Sequence, residues 1–377
     1  MAEYDKKLNV AAVIKTAGAA DVPDTVNRTM QASGAFSGDT AIGDNFFGIN
    51  HRQTPGAVPI NKDSHGLTFF TRPEFNLSEN NVRTMRQLMP LMTTNEASIQ
   101  RVIRCLLDPR LQREGTPCPL VDANMAFIPV LTNNLLSISG WPDVEVDLFT
   151  SAPGVYKEAW FMVDSTAQNL STYDITANFR NIEGDPITLM FFIWAHYASL
   201  VFQGLMIPYP ENLLANRIDY QTRIYRLVLD KDKRFVQKIG ATGIAVPLSS
   251  PIGASFNFDA SKPFNQTNDQ LSVTFRCAGA LYLDDFLIEA FNRTVAKYNT
   301  AMDSKNFRTV PAPRGVSLRD EYITTHSTYK QIPYEALDLF NNRGYPRISP
   351  DNYELQWWVT PQDYKERYAI YLEQKGK

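Results

Sequence analysis

A two-residue period is the clearest pattern in the chain. Leu271, Val273, Phe275 and Cys277 alternate with Gln270, Ser272, Thr274 and Arg276, which predicts a strand with one dry face and one wet face. Tyr173, Ile175, Ala177 and Phe179 alternate in the same way with Asp174, Thr176, Asn178 and Arg180. Before the first of these strands, Ala254, Phe256 and Phe258 alternate with Ser255, Asn257 and Asp259. Pro263 to Asp269 is rich in Asn and Asp, which tolerate left-handed backbone. Ile244 to Tyr282 therefore reads as an antiparallel hairpin closed by that polar turn.

Weaker alternation marks further strands. Leu67, Phe69 and Phe70 precede Pro73, which cannot donate to a ladder. Leu135 to Gly140 is strand-like, and Val144, Val146 and Leu148 alternate with Asp143, Glu145 and Asp147. From Arg217 to Asp230, Ile218, Tyr220 and Ile224 face one way while Arg217, Asp219, Gln221 and Arg223 face water. The pattern reverses at Tyr225, as a bulge or a change of cover would make it.

Helical spacing appears in four places. Val82, Met85 and Met89 follow Ser78, a candidate N-cap, and Ile99, Val102, Ile103, Leu106 and Leu107 stop at Asp108-Pro109. Leu287, Ala290, Phe291, Val295 and Tyr298 follow a cap at Asp284 or Asp285. Tyr364, Tyr368 and Tyr371 recur after Trp357-Trp358, a pair expected to pack on the main module or on a neighbour.

Ile187 to Ile207 stands apart because it carries no formal charge. Asp185 suits its N-cap and Pro186 its first position. A run of about twenty apolar residues is long enough to span a bilayer, so membrane association through Ile187–Ile207 is one reading. Gly204 and Pro208 shorten the helix, no Lys or Arg cluster flanks it, and its neighbours are two-faced strands. A buried helix laid across a sheet explains the run with less, and no membrane partner is expected.

The order of elements gives an α+β fold: an antiparallel β-barrel or sandwich with one long packed apolar helix, an N-terminal helical segment and extended terminal arms. Four segments are expected. Residues 1–65, poor in core formers, are an arm that is either a free tail or ordered against a neighbouring subunit. Residues 66–119 are a strand-helix-helix segment ending at the stiff Thr116-Pro117-Cys118-Pro119. Residues 120–300 are the β-rich core domain, and 301–377 are a C-terminal arm and final helix.

Composition narrows the function. At 377 residues, 44% hydrophobic and 20% charged, the chain can bury a core and is somewhat poor in charge, as a self-associating protein would be. A net charge of -3 speaks against a nucleic-acid binder with a basic face. Cys105, Cys118 and Cys277 form no CxxC, and their odd number fits a reducing compartment at assembly. No signal peptide is read at the N-terminus.

Candidate chemistry is sparse. Asp143, Glu145 and Asp147 share a strand face, but side chains two apart on a strand splay rather than converge. Arg101, Arg104, Arg110 and Arg113 read as a solvated or subunit-facing charge cluster, with phosphate binding as the sharper alternative. His196 in mid-helix reads as a satisfied core or interface histidine; His51, His65 and His326 show no ligand spacing with it. Nucleotide-binding, hydrolase and metalloprotease motifs are absent. No catalytic, cofactor-binding or metal-ligating residue is expected, although a hydrolase using two carboxylates follows no local spacing rule and stays open as the enzyme alternative.

Two segments carry a resemblance. Tyr173-Asp174-Ile175-Thr176-Ala177-Asn178-Phe179, followed by the helix bearing Trp194, and the hairpin that runs to Phe275 together resemble the tail-tube and tube-initiator proteins of contractile-tailed bacteriophages and of related injection machines. The resemblance covers roughly two-fifths of the chain and includes no active-site motif. It implies a non-enzymatic virion subunit whose barrels pair edge to edge in a homo-oligomeric ring of six around a channel, with DNA only as passing content. Other tail or baseplate proteins would be its partners, and assembly would take place in the host cytoplasm. The long terminal additions favour a baseplate, hub or neck-adjacent component over the repeating tube protein.

Overall fold

The computed structural model describes residues 65–165, 171–230, 232–257, 260–261, 269–304, 308–311, 322–325, 329–340, 343–350 and 352–374. The arm expected at 1–65 lies outside them apart from His65, and so do Phe258, Asp259 and most of the 263–269 turn.

In chain order the main elements are β1 (His65–Phe70), α1 (Glu79–Val82), α2 (Ile99–Leu107), α3 (Pro109–Glu114), α4 (Pro129–Asn134), β2 (Leu135–Ser139), β3 (Leu148–Thr150), β4 (Phe161–Val163), β5 (Thr172–Arg180), α5 (Pro186–Phe202), α6 (Pro210–Leu214), β6 (Ile224–Leu229), β7 (Val236–Pro247), β8 (Gln270–Tyr282) and α7 (Asp285–Tyr298). Later come β9 (Arg308–Pro311), β10 (Tyr322–Thr325), β11 (Lys330–Gln331), β12 (Tyr345–Ile348), β13 (Leu355–Val359) and α8 (Pro361–Gln374). Two compact units result: a larger one of Thr68–Arg226 with Ile239–Tyr329, and a smaller one that includes Leu227–Lys238 and Lys330–Lys377.

A six-stranded sheet, ordered β1-β6-β7-β8-β5-β2, is the frame of the fold. β5 lies antiparallel to β8 over its full length, from Thr172 opposite Ala278 to Arg180 opposite Gln270. The alternation of both strands is realised: Ile175, Ala177, Phe179, Leu271, Val273, Phe275 and Cys277 are all buried. The hairpin partner differs from the sequence expectation. β8 pairs with β7, Pro247 opposite Phe275 and Gly240 opposite Tyr282, while Pro251–Phe256 forms a 3-10 turn and Phe256 is exposed. Leu248 N–H still donates to Thr274 O, and the chain leaves the ladder before Pro251, a residue that has no N–H to continue it.

Helix α5 lies on the dry face. Phe191 packs edge-on against Phe275 and at a tilt against Phe179, and Trp194 is fully buried with its indole N–H on Tyr220 O at 2.8 Å. Each such aromatic removes enough surface from water to stabilise the fold by about 1.5–3 kcal/mol. Leu88, Leu107 and Leu131 join the same core, so it continues across the boundary expected at residue 119. Asp185 precedes α5 in left-handed backbone, with φ 52°, and its carboxylate takes the Thr188 hydroxyl rather than a helix N–H. The helix stops after 17 residues in a Schellman turn. Gly204, at φ +72°, donates to Val201 O, and Leu205 N–H reaches Leu200 O. Among the described residues no helix is long and apolar enough to cross a membrane.

A second aromatic layer involves α7. Phe291 stacks on Phe127 at 5.1 Å and meets Phe69 and Tyr225 edge-on. Asp284 caps α7 by accepting from Phe286 N–H at 2.9 Å. In the smaller unit β13 pairs with β11 and β12. Trp358 is buried there, while Trp357, Tyr364 and Tyr371 pack beside Phe340.

Candidate assembly surfaces

Three surfaces of the larger unit have a composition that a lone subunit does not need. The first is a ribbon of two strands. β3 and β4 pair antiparallel, Leu148 opposite Val163, Phe149 opposite Met162 and Thr150 opposite Phe161, and among the described residues no third strand joins them. Ser151 N–H on Trp160 O and Gly154 N–H on Glu158 O extend the ribbon to a turn in which Lys157 takes φ 62°. All six strand residues are exposed. Trp160 and Phe161 remain 60% and 67% exposed, and Val155 and Tyr156 almost wholly so. An isolated two-stranded hairpin is marginal in water, and contiguous exposed apolar surface marks an interaction site. The expected wet acidic face at Asp143, Glu145 and Asp147 is exposed, but these residues lie ahead of β3 in irregular chain rather than in a strand.

The second surface follows α5. Phe202 is 90% exposed and Leu214, on α6, 85%. Leu205, Ile207, Leu213 and Ile218 are also exposed. This stretch falls where the Schellman turn ends the buried helix, so the apolar run of the sequence outlasts the core that covers it.

The wet face of the sheet is the third. Directly opposed residues satisfy one another there: Arg276 meets Asp174 at 2.7 Å, and Asn178 donates to the Ser137 hydroxyl at 2.8 Å. Thr176 faces Thr274 and Asn178 faces Ser272. Such cross-strand pairs contribute about 0.2–1 kcal/mol each. The face is hydroxyl- and amide-rich, and the Arg276–Asp174 pair cancels its own charge. Apart from the exposed Arg180 at the end of β5, that chemistry holds water rather than a polyanion.

Sites proposed from sequence disperse. The arginine cluster divides between buried and solvent-facing members, Arg113 being exposed and Arg110 half-buried. Arg104 is buried and donates twice to Leu77 O, and Arg101 is also buried. Arg110 forms a fork with Glu211 and covers the Tyr209 ring at 4.3 Å, and Arg113 donates to Tyr298 O. Three of these guanidiniums, those of Arg104, Arg110 and Arg113, are committed to internal acceptors, and they point to separate ones. His196 is half-buried, its ring edge-on to Phe192 at 4.3 Å. Among the described residues no three His, Cys, Asp or Glu side chains are grouped to hold a metal ion.

Three buried polar groups escaped the sequence reading. Arg72 sends its guanidinium to four backbone carbonyls, those of Leu106, Cys105, Asp122 and Met125, at 2.7–3.1 Å. Asp219, expected in water, is buried and accepts from the Tyr197 hydroxyl. Asp108 caps α3 and also takes Leu77 N–H at 2.8 Å and Tyr209 O–H at 2.9 Å. Burial raises both carboxyls above the usual carboxylate range. Internal donors already occupy the two carboxylates, so this pair ties segments together and is closed to a substrate. Beyond the local cap of Asp108, nothing at the sequence level marks these three, because their remaining partners lie about twenty or more residues away.

The sequence model of one protein family, described as "Putative phage tail tube protein", matches residues 10–374. No curated protein matches the chain. Partial structural similarity exists to the tube-terminating cap of the anti-feeding prophage, at 14% identity over 42% of this chain and 81% of that one, with a TM-score of 0.25. The sheath/tube terminator of an extracellular contractile injection system, PVC, shares 13% identity over 42% and 88%, with a TM-score of 0.24. Its sheath-tube complex yields a chain with 13% identity over 46% and 95%, also at 0.24.

Proposed function

From the premise that this chain belongs to the phage tail tube family, we propose that it works as a self-associating ring subunit of a contractile tail or injection particle. The family is one of structural components, and the chain is not an enzyme. The ring follows the family pattern of six copies, and its channel is lined by the wet sheet face carrying Thr176, Asn178, Ser272 and Thr274. A near-neutral, self-satisfied lining lets DNA or other cargo pass without being held. The terminal additions fit a position at the start or end of a tube, next to baseplate or neck partners, better than the repeating shaft. Outside the host, such a subunit is part of the particle.

The observation that carries this reading is the exposed apolar ribbon of β3 and β4. A closed ring or stack needs heterologous contacts, in which two different surfaces of one chain meet on neighbouring copies. The ribbon and the Phe202–Leu214 surface supply such a pair. Both are apolar, and both are exposed among the described residues. The test uses two single variants, Phe161→Cys and Leu214→Cys, mixed before assembly and oxidised. A covalent dimer from the mixture and from neither variant alone is expected. Assemblies that form without any such dimer would overturn the pairing of these two surfaces.

A further inference from the structure

Cys105 and Cys118 take no part in the surfaces just described, yet the fold brings them together. Cys105 sits in the last turns of α2, and Cys118 in the turn after α3. Both side chains are fully buried, and with Leu106 and Val121 they form a small core cluster of their own. Gln112 of α3 fixes the Cys118 segment from three directions. Its amide N–H₂ donates to Cys118 O at 2.7 Å and Val121 O at 2.6 Å, while its Oε1 accepts from Cys118 N–H at 2.7 Å. The Cys105 thiol points into the same turn, toward Thr116 O at 3.5 Å, and the Cys118 thiol donates to Glu96 O at 3.1 Å. Cys277 is elsewhere, on the dry face of β8, with its thiol directed at Phe275 O.

We propose that Cys105 and Cys118 form a latent intramolecular disulfide site, reduced when the chain folds and closed when a disulfide or a comparable two-electron oxidant reaches it. With a glutathione-type disulfide the balance is simple. One cysteine thiolate attacks the oxidant, its proton leaves to water, and one equivalent of reduced thiol departs. The second cysteine thiolate then attacks the mixed disulfide and expels the second equivalent. Two S–H bonds are lost, one protein S–S bond is gained, and the oxidant takes up both electrons. Burial pushes the Cys105 thiol up to about 11, helped by the neighbouring Cys118. The thiolate fraction at neutral pH is therefore small, and closure is slow compared with that of an exposed thiol. The site tolerates a reducing cell and acts as a staple between α2 and the turn after α3 in a particle exposed to oxidising surroundings.

The test takes the full-length chain, fully reduced and freed of reductant, and incubates it with oxidised glutathione. Peptide mapping without reduction should recover one cross-linked species joining the Cys105 and Cys118 peptides. Cys277 should stay alkylatable after denaturation, and the closed form should melt at a higher temperature than the reduced form. Cys105→Ala and Cys118→Ala should each abolish the cross-link, and Cys277→Ala should leave it in place. Two free thiols after prolonged oxidation under partly loosening urea, a glutathione adduct that never resolves, or a bond to Cys277 would each overturn the assignment. The readout needs no assembly, so it is independent of the ring proposal.

Discussion

Replacing Trp160 and Phe161 together by Ser separates folding from assembly. Both side chains already face water in the isolated subunit, so the folded monomer loses little, within about 0.5 kcal/mol as for other exposed substitutions. At 60% and 67% exposure, the pair holds roughly 280 Å² of uncovered surface, taking about 200–250 Å² for each whole side chain. Covering all of it at about 25 cal/mol per Å² would yield roughly 7 kcal/mol per contact as an upper bound. Ordering of side chains and imperfect cover absorb much of that. A surviving loss of about 3 kcal/mol corresponds to a weakening of about two orders of magnitude in Kd. Circular dichroism and urea unfolding measure the first quantity, and analytical ultracentrifugation over a concentration series measures the second. A variant that unfolds as easily as it dissociates would refute the reasoning, since it would mean the ribbon packs within its own subunit. Unchanged association would refute it from the other side.

Four further outcomes follow from the core. Phe275→Ala should cost about 3–5 kcal/mol in urea unfolding, and Val273→Asp should yield no soluble folded chain, because it buries an unpaired charge on the dry face. Soluble, ring-forming Val273→Asp protein would contradict the face assignment. Arg72→Lys should lose about 2–4 kcal/mol, since one ammonium cannot replace a fork serving four carbonyls and each buried carbonyl left without a donor costs about 1–3 kcal/mol; a loss below about 1 kcal/mol would show that the carbonyls find other donors. Asp219 has its carboxyl raised in the folded state by burial. Its contribution is therefore complete below the ordinary carboxylate value and is lost as pH climbs from there through the raised folded value. Asp219→Asn, which keeps an acceptor for the Tyr197 hydroxyl, should unfold with a flatter dependence on pH across that window, and an unchanged slope would contradict the assignment.

How much the sequence discloses depends on how far each residue's partners lie from it. The dry faces of β5 and β8 were legible because burial on one face imposes a local period of two. The long helix was legible as apolar, and its end was marked by Gly204. The start of β7 was legible in the alternation of Phe235, Gln237 and Ile239, but its continuation was hidden because Gly240, Ala241, Gly243 and Ala245 leave little contrast between faces. Gly243 has a reason to be small: a Cβ there would meet Ala278 O at 2.7 Å. Ala254, Phe256 and Phe258 mimicked the missing strand. Arg104 and Asp219 read as wet because a charged residue with no local partner reads that way, and their partners, like those of Arg72, are set by tertiary packing. The ribbon was not legible as such: the alternation at Val144, Val146 and Leu148 lies mostly ahead of β3, and an apolar pattern cannot tell a face covered by the same chain from one left for another copy.

Electron microscopy of the purified full-length chain, together with its mass in solution, tests the central claim most directly. Rings or short stacked tubes with a central channel, at a mass of six copies or a multiple of six, are the expected result. A monodisperse monomer that stays single at high concentration, and in which the Trp160 and Phe161 double variant behaves like the parent, would contradict it.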